Sequence, residues 1–343
     1  MQRYLSLCLC LIVLVGCGRT SLQEQQAYVF GTRVEVLVVG DDPALAHQAI
    51  ALVLREFDRL HQTYHAWQDS ELTTLNSAIF QGRPQKVSDE LANLIRDSQA
   101  LASAGDNLFD PGIGQLIKTW GFHGDDFKAV LPPQTELKQL LAAHPSIQDL
   151  SVNGNTVTSK NRAVAIDFGG YLKGVALDRA AAILRQQGVA NALINIGGNV
   201  MALGSKNGLP WRVGIQHPRQ SGSLATVELA DGEAIGTSGD YQRYFELNGR
   251  RYSHLLDPRS GYPATDTQAV TILVAGGARA GALSDAASKP VFIAGSVAWQ
   301  RLAKQQNLEF VLRIDRDGLI QVTEKFAQRL KFADAKAAIE VMP

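Results

Sequence analysis

Residues 236–262 read GTSGDYQRYFELNGRRYSHLLDPRSGY, and this stretch constrains the fold more than any other. Tyr241 to Leu247 and Arg250 to Leu256 are rich in aromatic and branched side chains. Asn248-Gly249 between them is a pair that tolerates the positive φ angles of a two-residue hairpin turn. A strand that returns on itself brings Ser253-His254 and Asp257-Pro258 back towards Thr237-Ser238-Gly239. Hydroxyls, an imidazole, a carboxylate and glycine main chain then share one rim. The residues alone permit two readings: a surface hairpin with a solvated histidine, or the edge of an active site.

The rest of the chain sets the class. Ala27 to Val39 reads as a strand, and Ala46, Ala49, Ile50, Val53, Leu54, Phe57 and Leu60 recur at helical spacing. Ser88 precedes a second helix as an N-cap, with Asp89 and Glu90 favouring its dipole. Asn153-Gly154 marks a hairpin, and a helix over 173–187 ends at Gly188. Strands dominate from Ala190 to Val274, helix returns after Ala278, and Phe310–Ile314 with Leu319–Val322 close the domain. Strand runs segregated from helices predict an α+β fold. A Rossmann fold is rejected: Gly112-Ile113-Gly114 lacks the third glycine, Ile117 standing in its place, and Asp110-Pro111 is a poor strand end. Basic and acidic residues balance at 33 each with no basic stripe, which argues against nucleic acid as a partner.

The first residues point to an envelope location. Arg3 precedes an apolar run from Tyr4 to Val15, too short for a membrane-spanning helix, and Leu14-Val15-Gly16-Cys17 ends it in the manner of a bacterial lipoprotein signal. The expectation is a signal peptide over 1–16, lipidation at Cys17, a flexible tether over 17–26 and a domain over 27–340 facing the periplasm. An ordinary secretory signal or an inner-membrane anchor is the other reading. All three cysteines, Cys8, Cys10 and Cys17, fall in this segment, so the domain has no thiol for a disulfide, a metal or nucleophilic chemistry.

Six blocks, in order, resemble the ApbE family, the FAD:protein FMN transferases. They are Thr63-Tyr64 through Ser70-Glu71-Leu72 to Asn76; Phe109-Asp110-Pro111 with Trp120-Gly121; and Asp167-Phe168-Gly169-Gly170 with Lys173-Gly174 and Asp178. Asn195-Ile196-Gly197-Gly198-Asn199, the 236–262 stretch, and Ser284-Asp285 through Phe292 to Gly295 complete the series. The resemblance implies an ApbE-like α+β fold, T-fold-like sheets with packed helices. It implies FAD as substrate, Mg²⁺ as the ion, and transfer of FMN to a Thr or Ser of envelope redox proteins, with AMP released. Acceptors carry a D-x-x-S/T-G-A-S/T-like motif. Asp257-Pro258-Arg259-Ser260-Gly261 begins similarly, but Tyr262-Pro263 follow and no self-flavinylation is expected.

By the same resemblance His254 is the candidate base, while Asp257 shapes a turn. Thr237, Ser238 and Gly239 either donate to phosphate or form an ordinary turn. Asp167 and Lys173 fall to the nucleotide. Phe30, Tyr64, Leu108, Phe109, Asp110 and Leu256 line the flavin and adenine cavities, with a plain core role also open for Phe30. Gly170 and Asp285 fall to the metal. One departure stands out: where the family shows a metal-ligating threonine, this chain has Lys289, preceded by Ser288. A protonated lysine has no lone pair for a metal. Either Ser288 completes a modified magnesium site, or the Lys289 ammonium takes over part of the phosphate neutralisation. Two other functions share these residues: a flavin-binding lipoprotein or assembly factor without transfer, and a pyrophosphatase that splits FAD into FMN and AMP.

Overall fold

The computed structural model describes residues 21–124 and 126–342. One sheet contains nine strands: β1 (Ser21–Val29), β2 (Thr32–Gly40), β3 (Ala192–Ile196), β4 (Asn199–Leu203), β5 (Ala234–Gly239), β6 (Thr267–Val274), β7 (Phe310–Asp315), β8 (Ile320–Thr323) and β9 (Ile339–Met342). They lie side by side in chain order. All neighbours are antiparallel except β8 and β9. Against this sheet pack α1 (Pro43–Thr63), α6 (Leu172–Gln186) and α7 (Ala280–Gln305), while α2 (Glu71–Gln81), α3 (Asp89–Ala104), α4 (Gly114–Thr119) and α5 (Gln134–Ala143) lie in the stretch between α1 and α6.

Alternation along the strands separates two cores. Val34, Val36, Val38, Ile194 and Ile196 join the apolar stripe of α1 and the buried face of α6. Leu37, Val200, Ala202, Ile235 and Leu273 face the opposite way, onto Trp211, Ile215, Val227 and Leu229. Those four belong to a three-stranded sheet of Trp211–Gln216, Ser223–Leu229 and Lys331–Phe332. Helices, large sheet and small sheet therefore stack in three layers, an α+β architecture as expected. The anticipated caps are present: Ser88 Oγ accepts the Leu91 N–H at 3.1 Å.

Several boundaries differ from the sequence reading. Residues 21–26, expected in the tether, belong to β1 and pair with β2 from Ser21 opposite Gly40. An edge strand needs ladder hydrogen bonds on one side and buries little, so SLQEQQ gives no apolar signal. The single strand expected over 27–39 is broken by a two-residue turn at Phe30-Gly31, where φ is 56° and 68°. Helix α2 was not anticipated; Ser70 and Thr73 form its reciprocal capping box. The hairpin loop near Asn153 is Gly154-Asn155, one residue later than expected. The 17–26 tether and the 27–340 domain limits shift accordingly, since β1 begins at Ser21 and β9 ends at Met342. Residues 1–20, with Cys17, lie outside the described residues. Among those described, no helix is long and apolar enough to cross a membrane.

The crossing of α6 and α7 positions the site. Gly174 and Gly281 meet at the contact, and a Cβ on either would overlap the other's carbonyl oxygen. So close an approach lets each helix cap the other. Asp178 of α6 accepts the Gly281 and Ala282 N–H groups at 2.8 and 2.9 Å, while Asp285 Oδ2 of α7 accepts the Gly174 N–H at 2.9 Å. Burial raises the Asp178 pKa to about 6, against the pull of its two N–H partners. Because the folded value lies above the unfolded one, this group's stabilisation is greatest below pH 4 and declines as pH rises through 6. Asp178→Ala should lower the unfolding free energy by about 1–2 kcal/mol, with the larger deficit at the acid end of a urea-midpoint series.

Candidate active site

The β1–β2 turn, the end of α1, the start of α6, strand β5 and the residues flanking the 244–253 hairpin enclose a cavity of about 900 Å³. Phe30 stands at its mouth in the left-handed region, its ring 6.0 Å from Phe57 and 5.7 Å from His61. A bulky residue rarely adopts that backbone, but the two-residue turn between β1 and β2 requires it. Tyr64 lines the wall, and its hydroxyl donates to Glu90 Oε2 at 2.8 Å. Leu108, Phe109 and Asp110 line the wall between α3 and α4. Asp110 Oδ1 accepts the Gly112 and Ile147 N–H groups, both at 2.8 Å, so this buried carboxylate also shapes its loop. Gly114 donates its N–H to the Ala165 carbonyl at 2.8 Å. The Gly112-Ile113-Gly114 run serves close packing rather than a dinucleotide fingerprint.

Asp167, Gly170 and Lys173 edge the cavity around the start of α6. Burial pushes the Asp167 carboxyl up, opposed by the Gly169 N–H donating to Oδ1 at 2.7 Å. Thr237, Ser238 and Gly239 also line the cavity, yet they form no turn. They are the end of β5, paired with Ala269–Thr271 of β6, so the ladder fixes their backbone and leaves hydroxyls to face neighbours. The Thr237 hydroxyl lies 2.9 Å from that of Thr271. Leu256, in the short strand Leu256–Asp257, is buried at the wall.

His254 follows the hairpin formed by Tyr244–Leu247 and Arg250–Ser253, with Asn248-Gly249 at φ 53° and 73° as expected. The hairpin is no free surface ribbon. Phe245 and Tyr252 stack on Trp120 at 6.4 and 5.7 Å, and Trp120 Nε1–H donates to the Gly261 carbonyl at 2.7 Å. Such packing holds the imidazole in place. Its Nδ1 lies 3.2 Å from the Arg243 carbonyl, which only accepts, so Nδ1 carries the proton and Nε2 keeps its lone pair. Burial, then the positive charges of Arg243, Lys173 and Lys289, push its pKa down to about 3. The ring is neutral throughout the physiological range.

Behind the wall lies the Asp285 cluster. Asp285 is 1% exposed; Oδ2 takes the Gly174 N–H, and Oδ1 is bonded by the Lys289 ammonium one helical turn later. Lys289 Nζ also donates to the Asp285 carbonyl at 2.7 Å. Ser288 Oγ donates to that carbonyl at 2.7 Å and therefore accepts from Ser238 Oγ, again at 2.7 Å. Gly170 packs on the lysine stem; a Cβ there would lie 3.2 Å from Lys289 Cε. Mg²⁺ requires a near-octahedral set of oxygens. This cluster offers a single carboxylate with both oxygens engaged, a hydroxyl bonded on both sides and a cation already in contact. Among the described residues no group of three or more His, Cys, Asp or Glu side chains is placed to hold a metal. As arranged here, Asp285, Ser288 and Lys289 do not fit the ion, which weighs against the reading in which Ser288 completes a modified magnesium site.

The sequence reading missed His61, His65, Trp67, His123 and Arg243, all of which line the cavity. Their signal was proximity in sequence to Tyr64, to Trp120-Gly121 and to the hairpin. Arg243 donates to the Phe122 and Gly124 carbonyls at 3.1 and 2.7 Å, which ties the hairpin to the loop after α4.

A nine-stranded sheet with crossed helices α6 and α7, and one cavity where His254 meets Lys173, Arg243 and Asp167, define an α+β class with an enclosed candidate site. The sequence profile of the ApbE family matches residues 30–312. An FAD:protein FMN transferase of Rhodobacter capsulatus is 40% identical over 304 residues, 89% of this chain and 57% of that protein. This chain thus spans little more than half of that relative. A Klebsiella pneumoniae protein of the same name is 34% identical over 72% of this chain and 76% of its own. The crystal structure of the ApbE protein from Thermotoga maritima superposes with a TM-score of 0.82 at 30% identity, covering 90% of this chain and 99% of the other. The chain belongs to the ApbE family.

Proposed function

We propose that this chain is an FAD:protein FMN transferase. The observation that carries the reading is a cavity of about 900 Å³ in which a neutral imidazole of fixed tautomer stands among the cations of Lys173, Arg243 and Lys289. A pyrophosphate bears one negative charge per phosphate, and preorganised cations neutralise it as charge shifts to the leaving group. The acceptor Ser or Thr oxygen attacks the FMN-side phosphorus; a new O–P bond forms, the bond to the bridging oxygen breaks, and AMP leaves with that oxygen and its electron pair. His254 Nε2 takes the hydroxyl proton. Phe30 and Tyr64 give the ring systems apolar walls, and Asp167 meets the nucleotide.

Because the Asp285 cluster does not suit Mg²⁺, no step is routed through the ion. The acceptor is a protein segment of the D-x-x-S/T-G-A-S/T type in an envelope redox complex. Cys17, outside the described residues, carries the lipid that tethers the domain to the membrane, on its periplasmic side. Labelling with radioactive palmitate, abolished by Cys17→Ser, tests that placement.

Incubating the protein with FAD and an acceptor domain tests the activity. Fluorescent acceptor with one AMP released per FMN attached is the expected result. Free FMN without labelled acceptor indicates a pyrophosphatase, unchanged FAD a flavin-binding protein, and either outcome overturns the proposal.

A further inference from the structure

We infer that the Lys289 ammonium is a built-in cation of this site, so that the chain grips the pyrophosphate of FAD without a divalent metal. The inference rests on the transferase reading and deepens it.

Geometry carries it. Lys289 projects one helical turn after Asp285 on the same face of α7, and its side chain is 12% exposed, at the wall of the cavity. Its stem passes Gly170 in the α6 entry loop, where an added Cβ would lie 3.2 Å from Lys289 Cε. Two of its three N–H bonds go to Asp285, one to the carboxylate and one to the carbonyl. The third is left for the cavity that Lys173 and Arg243 also border.

The groups around it leave a metal nothing to bind. Asp285 Oδ2 is fixed by the Gly174 N–H, so this carboxylate already serves two purposes, as cap of α6 and as partner of Lys289. Ser288 is fully buried, hydrogen-bonded on both sides, and lies outside the cavity lining. A divalent ion would have to displace the ammonium from Oδ1 and then sit beside it, two cations against one carboxylate. The lysine therefore answers the choice left open by the sequence: it substitutes for the ion rather than leaving a weakened metal site. In the transfer step it supplies charge only. It gives up no proton, and the acceptor's proton still passes to His254.

The experiment uses the protein with FAD, with Mn²⁺ as a spectroscopic probe, and with Lys289→Thr and Lys289→Met. FAD affinity of the wild type should change by less than about twofold between EDTA and millimolar Mg²⁺. Electron paramagnetic resonance should show no stoichiometric Mn²⁺ site, with or without FAD. Lys289→Thr, which vacates Oδ1 and provides a hydroxyl, should bind one Mn²⁺ and gain about tenfold in FAD affinity with Mg²⁺. Lys289→Met, which keeps the stem, should bind FAD more weakly at every metal concentration. Should Lys289→Met fail to fold, the wild-type and Lys289→Thr titrations decide alone.

One Mn²⁺ bound per wild-type chain, together with transfer that requires Mg²⁺, overturns the inference and leaves the transferase reading standing. Metal-independent FAD binding without transfer to any acceptor overturns the transferase reading instead and leaves the built-in cation in place.

Discussion

His254→Ala is expected to slow FMN transfer by about 10²–10⁴-fold while leaving FAD binding largely unchanged. The argument is geometric before it is electrostatic. Nδ1–H is committed to the Arg243 carbonyl, so Nε2 is the free lone pair, and the ring is held by a hairpin clamped on Trp120. The pH dependence supplies a second readout. Burial and three nearby cations press the imidazole pKa down to about 3 in the empty pocket. The acid limb of kcat/KM, which reports the free enzyme, should therefore fall well below the ordinary value near 6.5. Bound pyrophosphate offsets those cations, so the limb of kcat should lie at higher pH. Stability follows the same sign: a folded value below the unfolded one means stability is lost as pH falls from about 6.5 towards 3, and His254→Ala should lose less of it. A variant that transfers FMN at near wild-type rate removes His254 from the chemistry.

How much of this was written in the chain depends on whether the information was local. The hairpin at Asn248-Gly249, the stripe of α1 and the Ser88 cap are short-range patterns, and each lies where it was expected. Residues 21–26 of β1 were invisible because an edge strand pays little attention to hydrophobicity; their pairing with β2 exists only once β2 is in a sheet. Thr237-Ser238-Gly239 resembled a turn by composition, but the ladder to β6 overrides small-residue preference at the end of β5. Residue types of the site were legible, since His254, Asp167 and Lys173 do meet at one cavity. The reciprocal caps of α6 and α7 were not, because Asp178 and Asp285 find their partners about a hundred residues away. Arg243 was missed for a similar reason, its role being a link between the hairpin and the loop after α4.

The Asp285–Lys289 pair should show the largest stability effect. Asp285→Ala removes the carboxylate bonded to the Lys289 ammonium and at the same time uncaps α6. Breaking one side of a buried pair typically costs about 3–5 kcal/mol, so the variant should unfold at a much lower urea concentration. Lys289 sits below its ordinary pKa because of burial, with Asp285 the main influence holding it up. Without that carboxylate the ammonium is disfavoured further in the folded state, while the unfolded chain still binds the proton. Stability of Asp285→Ala should therefore rise with pH towards the unfolded lysine value, more steeply than that of the wild type. Adding Lys289→Met should restore much of the loss, because no buried charge is then left unpaired. A double-mutant cycle over these two positions should give a coupling of at least about 2 kcal/mol. Additive losses would mean that Asp285 acts only as a helix cap, and that the ammonium beside it owes its position to something else.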